Sequence, residues 1–248
     1  MNTRDSIQKT LLAQSLQRLK QNQSWQLVFV TLFTALLAFF VLMITLFEIE
    51  SNRTERDYQR LLNAFYQEVV QARDEMGLPW LQVENTYAKG VRLSLSPQLF
   101  DDQSLFQAGR AKLNPRFLPY LEQVVALIQR LKLPEFHQRY ARWTRSQTVN
   151  EAPGSRVAVT LRVEGHTDAT PLAPTALYQN NRQLSTYRAY AFMDWLALYT
   201  QLPPHLFAIA GYGAFHPLTN DPDDRQNRRI ELYLQPQILS LPSQGGAP

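Results

Sequence analysis

Hydrophobic positions along the chain fall into three regimes. From Trp25 to Phe47 charge disappears and almost every position is apolar. About 23 residues rising about 1.5 Å each reach about 34 Å, enough to cross a hydrocarbon core of about 30 Å, so this stretch is expected to be one transmembrane helix. A second pattern then places Tyr58, Leu61, Leu62, Phe65, Tyr66, Val69 and Val70 at i, i+3, i+4 and i+7 spacing, and Gly77-Leu78-Pro79 closes it. That is an amphipathic helix in need of a partner. Either it continues the membrane helix and pairs with a second copy as a stalk, or it packs back on the downstream domain, and spacing alone serves both.

Beyond it the periods shorten and alternate. Residues 91–95 read as a first strand. Asn114-Pro115 is a helix start with Asn as cap, and Leu118, Leu121, Val124, Val125, Ile128 and Leu131 give its buried face. Residues 157–164 alternate as a β-branched strand ending at Gly165, and from about Asn181 the residues Leu184, Tyr187, Tyr190, Ala191, Leu196, Leu198 and Tyr199 return at helical spacing. Segments of both kinds alternate, which is an α+β pattern. Residues 132–156, holding His137, Arg139, Arg142, Trp143 and Arg145, read as a loose basic loop, with a glycan-contacting flap as the sharper alternative.

Charge adds an orientation. Arg4, Lys9, Arg18 and Lys20 precede the apolar span against Asp5, while Glu48, Glu50, Glu55 and Asp57 follow it. The Lys/Arg bias puts the N-terminus in the cytoplasm. No small-residue cleavage site follows the span, so the anchor is expected to stay attached. A net charge of +4, dispersed along the chain, gives no case for nucleic acid. The sequence has no cysteine, which removes disulfides and thiolate metal sites. His166 has no other histidine at ligand spacing, so no metal and no cofactor is expected. No paired carboxylates, nucleophile with base, or zinc set marks an enzyme.

The candidate chemistry lies in Gly165-His166-Thr167-Asp168, in 181–189 (Asn-Arg-Gln-Leu-Ser-Thr-Tyr-Arg-Ala), and in Asn227-Arg228-Arg229. Asp168 sits in a loop just past a strand end, and Arg188 falls one turn after Leu184 and Ser185 on a helix flank. A carboxylate can accept from an ammonium while a guanidinium fork grips a carboxylate, each charge-assisted bond contributing about 1.5–3 kcal/mol when sheltered. An acid, an amide and an arginine on one side of a small fold are the equipment for a zwitterion such as an amino-acid head group. Arg228 and Arg229 are open between ligand contact and an ordinary ion pair with Glu231.

The order His-Thr-Asp, Asn-x-x-Leu-Ser-x-x-Arg-Ala, Gly-Tyr-Gly (211–213) and Asn-Arg-Arg-Ile-Glu (227–231) resembles the OmpA-like peptidoglycan-binding domain over roughly 88–235. The resemblance implies a βαβαββ domain with a mixed sheet, and a site in which the Asp and Arg clamp the diaminopimelate of the wall's stem peptide. On this chain those are Asp168 and Arg188, helped by Asn181, Thr167, Arg228 and Arg229. Leu105-Phe106-x-x-Gly109 is similar to the family's turn, with Gln107 where many relatives carry Asp. The long spacing from Asp168 to Arg188 resembles the MotB branch, the wall-anchored half of flagellar stators. Without a cysteine there is no lipid anchor of the kind used by lipoproteins of this fold, so the membrane helix takes that part.

The membrane span resembles the MotB helix too, at Trp25, Thr34-Ala35, Ala38-Phe39-Phe40 and Met43. On that alignment Thr31 stands where MotB proteins carry the ion-binding aspartate. A hydroxyl stays neutral at physiological pH and cannot exchange a driving proton. The expected organisation is a cytoplasmic tail (1–24), transmembrane helix (25–47), periplasmic helical linker or stalk (48–85), OmpA/MotB-like domain (86–236) and flexible tail (237–248). Its expected place is the bacterial inner membrane, single pass, with the C-terminal domain periplasmic. The resemblance implies a noncovalent peptidoglycan tether, a homodimer and a MotA-like multi-pass partner. An ion-driven stator subunit is the alternative.

Overall fold

The structure is a computed structural model that describes residues 3–96, 99, 104–141 and 155–240; side chains are described from 25–47, 55–96, 99, 104–141 and 156–239. Residues 1–56 and 57–248 form two compact units. Helix α1 spans Thr3–Glu75 and contributes to both.

In the first unit, Trp25–Phe47 is one helical span of 23 residues, long and apolar enough to cross a membrane. Its side chains are exposed throughout. Thr31, Thr34 and Thr45 each donate their hydroxyl to the carbonyl three residues back, at 2.9, 3.0 and 2.8 Å. This hides the polar atoms that would otherwise face lipid.

The second unit is built on a five-stranded sheet. Its strands are β1 (Leu81–Asn85), β2 (Val91–Leu95), β3 (Ser155–His166), β4 (Phe207–Gly213) and β5 (Ile230–Ser240). Their spatial order is β1-β2-β5-β3-β4, with β3 and β4 parallel and every other pair antiparallel. Between them come α2 (Leu118–Arg130), the short α3 (Phe136–Arg139) and α4 (Asn181–Thr200), the last being the crossover that a parallel β3–β4 pair requires. The expected βαβαββ order in a mixed sheet is present. One strand more, β1, precedes it at the sheet edge, so 91–95 is the second strand and not the first.

Alternation along β3 explains the layers. Val157, Val159, Leu161 and Val163 are buried in the single core, together with the apolar stripe of α2 and Ala189, Phe192 and Leu196 of α4. Glu164 and His166, at intervening positions, belong to the opposite, helix-free face. Gly165 lets α4 lie directly on β3, since a Cβ there would fall 2.2 Å from the carbonyl oxygen of Ser185. Asn180 caps α4 by accepting from the backbone N–H of Gln183 at 2.9 Å.

The stripe on α1 is part of this core. Leu61, Leu62, Phe65 and Val69 are fully buried. The stripe lies on the same continuous helix as the membrane span and also packs on the domain. Gly77, at φ +64°, ends the helix, with Leu78 N–H donating to Arg73 C=O at 3.2 Å and Gly77 N–H to Asp74 C=O at 3.1 Å. Part of the 132–156 stretch covers the stripe. Phe136 and Tyr140 set their rings 5.0 and 6.0 Å from that of Phe65, and Glu68 takes Arg139 and the Tyr140 hydroxyl. Arg142, Trp143 and Arg145 lie outside the described residues.

Candidate functional site

Past the end of β3, the chain turns and Thr167 donates its N–H to Gly213 C=O at 2.9 Å, which sets Asp168 at the mouth of a cleft of about 710 Å³. Asn181, the first residue of α4, ties the loop down. Its amide donates to the carbonyls of Asp168 (3.2 Å) and Thr170 (2.9 Å). Asn227 does the same for the opposite wall. It accepts from the N–H groups of Leu218 and Thr219 and donates to the carbonyls of Asp221 and Pro222, so the loop before β5 is closed on one buried amide. That loop delivers Arg228, whose Nε lies 3.3 Å from the Asp168 carboxylate.

Arg188 forms the floor. It is only 5% exposed, with its guanidinium over the Phe106 ring (5.3 Å to the centroid) and Nε donating to Arg110 C=O at 3.1 Å. Among the described residues nothing accepts from its two terminal nitrogens, and no carboxylate lies within ion-pair distance. Burial, reinforced by the Arg228 charge and only partly opposed by Asp168, lowers its pKa to about 10. A sheltered guanidinium fork without an anion is a site prepared for one. The Thr167 hydroxyl, on the cleft wall, is buried without a hydrogen-bond partner.

Asp168, Thr167, Asn181, Arg188 and Arg228 therefore meet in one cleft. Arg229 does not join them. It turns to the helix-free sheet face, where its Nε meets Glu231 at 2.7 Å. Gln107 lines the cleft, as do Asn114, Asp223 and Arg225, which the sequence alone does not mark as site residues. The acidic run Asp221-Pro-Asp-Asp-Arg225 beside Asn227 was the available signal. Three arginines and two aspartates around one opening suit a ligand bearing an ammonium and more than one carboxylate. Thr31 lies in the other unit, its hydroxyl on Val28 C=O.

A second titratable cluster occupies the helix-free face. Ligand atoms of Glu164, His166 and Glu231 lie within 4.8 Å of one another. Electrostatics argue against a metal there. Glu164 already faces Lys89 at 2.9 Å and Arg162 at 2.8 Å, and Glu231 faces Arg229 and, at 3.2 Å, Arg92. A dication would meet two positive charges on each carboxylate. Burial tends to raise the Glu231 pKa, but the Arg229 hydrogen bond and charge reverse this, leaving it below the usual range. His166, 3% exposed and stacked on Tyr212, is driven down to about 4 by burial and then by Arg229.

No family model matches the chain. It is 22% identical over 245 residues to an uncharacterized protein, YtxE, of Bacillus subtilis, covering 87% of this chain and 90% of that one. Motility protein B of the same organism is 32% identical over 78 residues, 30% of each chain. Among solved structures, a MotB-like protein from Desulfovibrio vulgaris superposes with a TM-score of 0.52 at 18% identity, over 74% of this chain and 99% of that one.

Proposed function

We propose that this chain, whose folded unit is a MotB-like domain of the OmpA type, is a membrane-anchored protein that binds peptidoglycan noncovalently and tethers a membrane complex to the cell wall. The cleft takes the diaminopimelate of the stem peptide. Asp168 receives its ammonium, the Arg188 fork receives a carboxylate, and Arg228 exchanges part of its pairing with Asp168 for the ligand. The Trp25–Phe47 helix crosses the inner membrane with the N-terminus in the cytoplasm and the cleft in the periplasm. A second copy and a MotA-like multi-pass protein are the partners in this proposal, met along that helix, whose apolar side chains are uncovered.

The observation that carries the proposal is the buried Arg188 with its terminal nitrogens lacking an anion. A guanidinium held in a sheltered cleft without a counter-charge is retained against its desolvation penalty where a ligand completes it. The test is co-sedimentation of the full-length chain in detergent with purified sacculi, comparing walls built on diaminopimelate with walls built on lysine, which lacks the second carboxylate. Binding to the first alone, lost in Asp168→Asn and Arg188→Met, is the expected result. Retention by both variants would sink the assignment. The ion-driven stator gains nothing from the structure at Thr31, where a neutral hydroxyl is spent on a helix carbonyl.

A further inference from the structure

Beside the cleft already described lies a second one, of about 590 Å³, between the start of α4 and the loop that follows β4. The two share Pro171, Leu172 and Asn181 as a common wall. Its far side is Phe215, 72% exposed, with the Arg182 guanidinium 6.0 Å from the ring centroid. Gln179 and Asn180 border it, and Ala214 adds a small apolar patch next to Phe215. A large aromatic ring held open to solvent beside amides and a cation is a surface with one apolar face and polar edges, the make-up of small-ligand sites.

Contiguity decides what it receives. Consecutive α-amino-acid residues lie about 3.8 Å apart, so a cleft that adjoins a single-residue site is within reach of the next residues of the same peptide. We infer that this second cleft binds the peptide flanking the diamino acid, a small apolar side chain packing on Phe215 and Leu172 while Arg182 and the amides face peptide carbonyls. This inference rests on the proposal for the first cleft and extends it from one residue to a short peptide. The Asn181 amide protons are already committed to Asp168 and Thr170 carbonyls, so the shared wall is rigid and holds the two subsites in fixed register.

The experiment is isothermal titration of the full-length chain in detergent with two probes, free diaminopimelate and a synthetic stem tetrapeptide that embeds it between glutamyl and alanyl residues. The tetrapeptide is expected to bind about tenfold more tightly, the increment for burying a small side chain against one aromatic face. Phe215→Ala and Arg182→Gln are expected to bring the two affinities together while leaving that for free diaminopimelate unchanged. Equal affinities in the unaltered chain, or a ratio indifferent to both substitutions, overturn the second subsite and leave the first standing. Failure of both probes to bind, or binding indifferent to Arg188→Met, sinks the first cleft and the second with it.

Discussion

Replacing Arg188 by methionine should make the protein more stable and unable to bind its ligand. Burial and the Arg228 charge lower the guanidinium pKa from its ordinary range to about 10, which corresponds to about 3 kcal/mol by which the folded site disfavours the charge relative to water. Set against this are the Nε hydrogen bond to Arg110, about 1 kcal/mol, and the guanidinium over Phe106, about 1 kcal/mol. Methionine keeps most of the stem's volume and packs on the same ring. The balance is a gain of about 1 kcal/mol in unfolding free energy for Arg188→Met, the exchange of stability for function common at sites kept for a ligand. Urea unfolding of the full chain in detergent, followed by tryptophan fluorescence, measures it. Adding ligand at about 100 times its Kd should stabilise the unaltered chain by about 2.7 kcal/mol and leave the variant where it was. A loss of more than about 1 kcal/mol in Arg188→Met would refute the reasoning, because the guanidinium would then be a structural strut. Ligand-induced stabilisation of the variant would refute it equally.

Phe65→Ala should cost about 3–5 kcal/mol in the same assay, as for other buried aromatic truncations, since its ring is fully buried against Phe136 and Tyr140. A cost below about 1 kcal/mol would mean that the α1 stripe is not core. His166 gives a pH signature. Its folded pKa, about 4 against an ordinary 6.5, means that between those values the unfolded imidazole takes a proton that the folded one refuses. Stability therefore falls as pH falls through that window, by about 3 kcal/mol from this group, and levels off below it. His166→Phe should lack this component, so the difference in urea midpoints between the two proteins, followed from pH 7 to 4, should change with pH; a constant difference would contradict the burial argument.

The local features of the site were legible because each depends on neighbours within a turn or a strand. Asn114 caps its helix from an adjacent position, and the loop position of Asp168 follows from where the β-branched alternation stops. The resemblance supplied the partners Asp168, Asn181 and Arg188 in order. It did not separate Arg228 from Arg229, which are adjacent and chemically identical. The chain leading into β5 separates them, sending Arg228 toward the cleft and Arg229 toward Glu231.

Sequence by itself determined the apolar span, the helix and strand periods and the Asn114 cap, all properties carried by short-range spacing. Tertiary structure alone decided that the stripe of Leu61 and Phe65 is roofed by Phe136 and Tyr140 from 71 or more residues along the chain, and that Arg188 is sheathed by Phe106 and by the Arg110 carbonyl, 78 residues away. The physical reason is the same in both cases. An amphipathic face or a helical arginine specifies only that it needs covering or pairing, whereas the partner is chosen by sheet order and loop closure, which bring distant segments together and leave no trace in the local pattern.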